Sequence, residues 1–149
     1  MNNNNNLDAI YKNISNGMRQ FSSTEEKMEY LSTALFDSFE QYFWVGFYFP
    51  HEKEMVIGPS AGPPACASIG YEGVCGAAYK SGKTVLVANV DEFPGHITCD
   101  PHSKSEIVVP VKNSDDKIIA VLDVDSDRLG AFNDTDAIFL EKLVRELSA

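Results

Sequence analysis

The chain has 149 residues, 44% hydrophobic and 11% aromatic, which suits one ordinary domain with its own core and excludes a disordered chain or a disulfide-stapled miniprotein. Twelve basic against 22 acidic residues leave a net charge of −10, which repels phosphate backbones and anionic lipid surfaces and argues against nucleic acid or a membrane as partner. Met1 and the asparagine tract at 2–6 offer neither a basic region nor an apolar run suited to a signal peptide or a span, so a cytoplasmic location is expected.

Residues 1–6 read as a disordered Asn-rich tail, and residues 7–149 as one domain without internal repeats. Leu7, Ile10, Tyr11 and Ile14 recur at helical spacing. A second helix is announced by Ser23 with Glu26 three residues on, a capping-box pattern, and Met28, Leu31, Leu35 and Phe39 give it a buried face. From Phe43 the period changes to two: Val45, Phe47 and Phe49 point one way, Trp44, Gly46 and Tyr48 the other. After a turn at Pro50 to Glu52, residues 54–57 read as a short partner strand and 58–64 as a Gly/Pro-rich connection, with Cys66 near its end.

Gly73 to Gly76 lead into a short helix at 77–80 closed by Ser81 and Gly82, which places Cys75 near a helix N-terminus. A strand follows at 84–87. Between Val90 and Ser105 no period survives, and this long loop containing Cys99 is of the kind that carries function in compact domains. Residues 106–111 and 118–125 read as two strands joined by a hairpin turn at 113–116. Asn133, with Asp136 at the third helical position, caps a last helix whose Phe139, Leu140, Leu143, Val144 and Leu147 share a face. Two helices, then mostly hairpin-connected strands, then one helix predict an α+β domain: an antiparallel sheet flanked by N-terminal helices and a C-terminal helix.

Three groups of residues could carry chemistry. Asp123 and Asp125 lie two apart on a strand and project from one face with Ile119 and Val121. A strand running out into solvent would explain a lone acid there, but a pair after so apolar a run points to a shared pocket. Trp44, Gly46 and Tyr48 share a strand face on which the glycine leaves a gap that a small apolar group could fill, although ordinary core packing explains most aromatic pairs on strands. The third group is Cys66, Cys75 and Cys99. An odd number of cysteines argues against a permanent disulfide framework and leaves free or cycling thiols or inert buried ones. A helix N-terminus would favour the Cys75 thiolate, whereas nearby carboxylates would disfavour that of Cys99. His96, Cys99 and His102 invite a metal reading, but their spacing fits no zinc pattern and no Cys-x-x-Cys occurs, so no metal is expected.

The segments FWVGFY (43–48), GPSAGPPAC (58–66), GVCGA (73–77), FPGHITCD (93–100), SEIV (105–108) and VLDVDS (121–126), with Gly130 to Phe132 just after, resemble the free methionine-R-sulfoxide reductases of the GAF family. The resemblance implies a single GAF-like catalytic domain at 7–149. It implies an oxidoreductase that converts free L-methionine-(R)-S-oxide to L-methionine through a sulfenic acid and an intramolecular disulfide, as part of an oxidative stress response. It further implies Cys99 as nucleophile, Cys66 as main resolving thiol and Cys75 as accessory or alternative one. Trp44, Tyr48, Glu106, Asp123 and Asp125 would line the substrate pocket, with no bound cofactor, thioredoxin as external reductant and a homodimer as the assembly. The chemistry of the residues agrees: a thiolate attacks sulfur, an acid such as Glu106 or Asp125 donates a proton to the departing oxygen, and carboxylates pair with the ammonium of a free amino acid. No residue stands out for the substrate carboxylate, so backbone N–H groups are expected to bind it. Two other readings remain at this point, a small-molecule-sensing GAF module and a thiol peroxidase.

Overall fold

Alternation along the central strands gives the sheet two apolar faces, and the rest of the chain covers one or the other. The computed structural model describes residues 3–96 and 99–148. In chain order it runs α1 (Asn3–Met18), α2 (Thr24–Ser38), β1 (Trp44–Pro50), β2 (Met55–Ala61), β3 (Ser68–Ile69), α3 (Val74–Ser81), β4 (Val85–Val87), β5 (Ser105–Lys112), β6 (Ile118–Ser126) and α4 (Asp134–Arg145). The strands form one antiparallel sheet in the order β3-β2-β1-β6-β5-β4. This is the expected α+β architecture, with β6 at the centre between β1 and β5. No helix among the described residues is long and apolar enough to cross a membrane.

One face of the sheet packs under α1, α2 and α4. Val45 and Phe47 of β1, Ile107, Val109 and Val111 of β5, and Ala120, Leu122 and Val124 of β6 meet Met28, Leu31 and Leu35 of α2 and Leu140 and Leu143 of α4. Burying each of the larger side chains contributes about 2 kcal/mol. The helix ends follow their sequence signals: Ser23 accepts from the Glu26 amide, and Asn133 and Asp136 cap each other's backbone in a capping box. The N- and C-terminal segments are tied together by Glu146, which accepts from Tyr11 and Ser15.

Several elements differ from expectation. The first helix begins at Asn3, so residues 3–6, read as a disordered tail, are helical, while Met1 and Asn2 lie outside the described residues. β2 extends through the Gly/Pro stretch to Ala61, because a bulge opposite Gly46 and Tyr48 absorbs the extra residue. Pro59 then lies beyond the two residues of β2 that pair with β3, where no ladder donor is required of it. The short β3 carries too few residues to show a period. Ile119, expected beside Val121, instead packs against the helix-covered core, because β6 is bulged between its pairings Ala120 to Val111 and Ile118 to Lys112.

The other face is covered by α3 and the long loops, with Trp44, Tyr48, Cys75, Val108 and Val121 in its core. Gly76 sets how closely α3 docks: a Cβ there would stand 1.8 Å from the Tyr71 carbonyl oxygen and 2.3 Å from its carbon, backbone atoms that cannot turn aside. Gly76→Ala is therefore expected to cost at least about 3 kcal/mol in urea unfolding. A variant within about 0.5 kcal/mol of wild type would show that α3 does not press on the Tyr71 turn.

Candidate active site

Strand register assembles the acidic side chains. Asp125 of β6 lies opposite Trp44 of β1 on one side and Glu106 of β5 on the other, and Asp123 lies opposite Gly46 and Val108. Residues paired across antiparallel strands share a face with Cβ atoms about 5 Å apart. Asp125, Glu106 and Asp123 are thus neighbours on the face away from α1, α2 and α4. Glu106 is 5% exposed and Asp123 6%, so the strand does not run out into solvent there.

Burial is the largest cause that raises all three carboxyls above their ordinary range. Glu106 and Asp125 are held well above it, and the charge of Asp123 adds to the effect on both. Asp123 is the exception in kind, since interactions with Glu106, Cys75 and Asp125 oppose its burial and favour its ionised form. Asp123 is thus the member of the cluster whose neighbours favour its charged form, while Glu106 and Asp125 are driven toward their neutral forms. Asp123 Oδ1 is buried without a hydrogen-bond partner.

Cys75, the second residue of α3, reaches the same cluster and is 4% exposed. Its thiol is pushed up, first by burial and then by Asp123, Glu106 and Asp125. The expectation that the helix N-terminus favours its thiolate is thus overturned: an eight-residue helix offers a partial charge, against desolvation and three carboxyls. Cys66 and Cys99 form a disulfide with a Cα–Cα distance of 5.4 Å. Tyr48 donates to the Cys66 carbonyl at 2.9 Å and so ties this strand to the disulfide segment. Burial raises the Tyr48 phenol, which stays protonated.

The gap expected over Gly46 is filled by the protein itself. A Cβ on Gly46 would lie 2.4 Å from Cη2 of Trp44 and 2.6 Å from the Ser60 Cβ. The glycine therefore lets the Trp44 indole lie along the strand toward Tyr48, the ring centroids 5.9 Å apart. What opens instead is a pocket between this indole, the carboxylates and the disulfide. Trp44, Tyr48, Cys75, Cys99, Glu106, Asp123 and Asp125 all line it, and Cys66 reaches it through its bond to Cys99.

Sequence reasoning missed several lining residues: Phe43, Pro64, Ala65, Asp100 and Ser103. Phe43 begins the FWVGFY segment, and its amide donates to the Asp125 carbonyl at 2.8 Å. The sequence offers His96 only as a metal ligand, but it lines the pocket with Nδ1 4.0 Å from Glu106 Oε1. Burial holds the His96 imidazole below its usual range and Glu106 above its own, and both shifts disfavour an ion pair between them. His102 instead pairs with Asp100 at 2.8 Å. The metal reading of His96, Cys99 and His102 gains no geometry: among the described residues the group with ligand atoms close enough to share an ion is Cys75, Glu106 and Asp123. Ile97 and Thr98 of the FPGHITCD segment lie outside the described residues.

The GAF domain family matches residues 26–149 of the chain. GAF domain-containing protein A of Dictyostelium discoideum is 45% identical over 119 residues, 78% of this chain and 74% of that protein. Free methionine-R-sulfoxide reductase of Escherichia coli (strain K12) is 41% identical over 119 residues, 78% of this chain and 70% of that protein. Free methionine-R-sulfoxide reductase from Neisseria meningitidis, solved in complex with its substrate, superposes with a TM-score of 0.92 at 36% identity, covering 99% of this chain and 89% of that one.

The electrostatics of the cluster make a stability prediction. A carboxyl raised on folding stabilises the protein while it is protonated, and that contribution is lost as pH rises from the ordinary carboxylate range through the folded value. Glu106→Gln and Asp125→Asn keep the shape and remove one such loss each. Each variant is expected to unfold at a higher temperature than wild type at pH 8, by roughly 1 kcal/mol of stability, with the gain fading at pH 5. Calorimetry at the two pH values checks this, and lower melting temperatures at pH 8 would give the carboxyls a structural role.

Proposed function

Because the chain belongs to the GAF domain family, we propose that it works as an oxidoreductase of that family, reducing free L-methionine-(R)-S-oxide to L-methionine by cysteine chemistry. The observation that carries this reading is the convergence on one pocket of Cys99, an indole and three carboxyls, of which Glu106 and Asp123 are buried. The free methionine-R-sulfoxide reductases of E. coli and N. meningitidis, similar along most of the chain, support it.

Each residue has a part that its surroundings suit. The α-ammonium of the substrate pairs with Asp123, whose Oδ1 is unpartnered and whose neighbours favour its charged form. Glu106 and Asp125 enter the reaction protonated, as acids for the sulfoxide oxygen. Asp125 also senses the charge of Asp100, next to Cys99, and so lies toward the nucleophile. The Trp44 indole, with Tyr48 behind it, forms the apolar wall for the methyl and methylene groups.

With the disulfide opened, the Cys99 thiolate attacks the substrate sulfur. The sulfur–oxygen bond breaks with proton donation from the carboxyls, and oxygen leaves on Cys99 as a sulfenic acid while methionine is released. The Cys66 thiol then displaces that oxygen as water and forms the Cys66–Cys99 bond, the bond present in the structure. Cys75, buried and protonated, stands by as an accessory thiol. A thioredoxin-type dithiol supplies two electrons and two protons to reopen the disulfide, in a cytoplasmic homodimer.

Cys99→Ser is expected to abolish methionine formation in single turnover, a loss of at least about 10³-fold, because the attacking sulfur is gone. Cys66→Ser should keep the first turnover and lose recycling. Rapid-quench analysis separates the two, and a methionine burst from Cys99→Ser would reject Cys99 as nucleophile. The substrate assignment is tested by comparing the R epimer, the S epimer and N-acetylated methionine-R-sulfoxide in a thioredoxin-coupled assay. Blocking the amino group should lower kcat/KM about 10²-fold or more, since Asp123 would be left buried without its cation. Equal values for the free and acetylated compounds would remove the free-amino-acid reading. Turnover of hydrogen peroxide alone would replace it with a thiol peroxidase.

A further inference from the structure

Cys75 has no necessary part in the reaction above, yet it is buried against the carboxyl cluster. Its Sγ and one carboxylate oxygen each from Glu106 and Asp123 lie within 4.8 Å of one another, all three residues buried. Asp123 also presents Oδ1 to the pocket with no hydrogen-bond partner. We propose that Cys75, Glu106 and Asp123 form a binding site for a thiophilic divalent cation of the zinc class.

The donor set fits that class of ion. Around a tetrahedral zinc, sulfur and oxygen ligands stand about 3.5 Å apart, so side-chain adjustments of about 1 Å bring these three atoms onto one centre. A thiolate and two carboxylates select zinc or cadmium over magnesium or calcium, which take all-oxygen shells. On binding, the protons of Cys75 and Glu106 pass to solvent, and the dication offsets the negative charge then carried by the three ligands. Three protein ligands leave a fourth position for water. The His96 imidazole stands beside the site, its Nδ1 4.0 Å from Glu106 Oε1.

The ion and a substrate ammonium both require Asp123, so they exclude each other. That consequence rests on the proposed function, whereas the ion site itself does not. A cell rich in free zinc or cadmium would then find this pocket blocked without oxidation of Cys66 or Cys99.

The oxidised protein isolates the question, because its Cys66–Cys99 disulfide leaves Cys75 as the free thiol. Titration of that form with Cd2+ is expected to produce an ultraviolet thiolate-to-cadmium band saturating at one equivalent per chain. Zn2+ should erase it, and Mg2+ or Ca2+ in hundredfold excess should not. Cys75→Ser should eliminate the band and weaken Cd2+ binding at least 100-fold by calorimetry. Asp123→Asn and Glu106→Gln should keep a thiol and weaken binding at least 10-fold, with near-ultraviolet circular dichroism confirming the fold around Trp44. No band in the wild type, or affinities unchanged in Asp123→Asn and Glu106→Gln, would overturn the proposal. Because binding is read without turnover, a failed sulfoxide assay and a failed cadmium titration are separate results.

Discussion

The pairing of β6 with β1 and β5 is the constraint on which the other features depend. It sets Trp44, Asp125 and Glu106 in one cross-strand row and Gly46, Asp123 and Val108 in the next. A slip of one residue would send Val124 and Leu122 into the pocket and the carboxyls into the helix-covered core. The alternation that gives the helices their apolar floor therefore also aims the acids the other way. Core and site are opposite sides of the same strands, and neither can be altered alone.

Placing three carboxyls together in one pocket is costly, and the cost shows in carboxyls that hold their protons more tightly than exposed ones do. No lysine or arginine lines the pocket among the described residues. Burial raises Glu106 and Asp125 well above the ordinary carboxylate range, the neighbours of Asp123 oppose its own rise, and burial lowers His96. A site of this kind is suited to a cationic guest, because an arriving ammonium or metal ion supplies the positive charge that the protein withholds. The same arrangement explains why acids can be available near neutral pH, where exposed carboxyls have lost their protons.

The glycines and cysteines add access and geometry. Gly46 lets the indole lie flat along β1, and Gly76 lets α3 approach until Cys75 reaches the carboxyl cluster. Gly95 adopts φ +80° and a Cβ there would meet the Glu72 carbonyl at 2.4 Å, so the loop bearing His96 also leans on the turn before α3. Cys66 and Cys99 bridge two loops that are 33 residues apart in sequence. Each contact brings a loop or the short α3 onto a strand face whose side chains the sheet register has aimed.

By itself the sequence determined the local elements and the chemistry on offer. Caps at Ser23 and Asn133, the period-two run from Trp44 and the apolar stretch before Asp123 each rest on neighbours a few residues away, and they folded as those neighbours dictate. The motifs around the three cysteines pointed to a GAF reductase, and the family match agrees with the GAF part of that reading. Only the tertiary structure decided which groups meet and how they titrate. The helix start beside Cys75 is visible in the chain, but the three carboxyls that outweigh it come from strands 31 to 50 residues later. The gap at Gly46 reads as open until Trp44 is seen to fill it, and Ile119 reads as a pocket residue until a bulge turns it away. Periodicity reports the direction of a side chain on an ideal strand, whereas desolvation, bulges and close contacts depend on what the rest of the chain brings within a few ångströms.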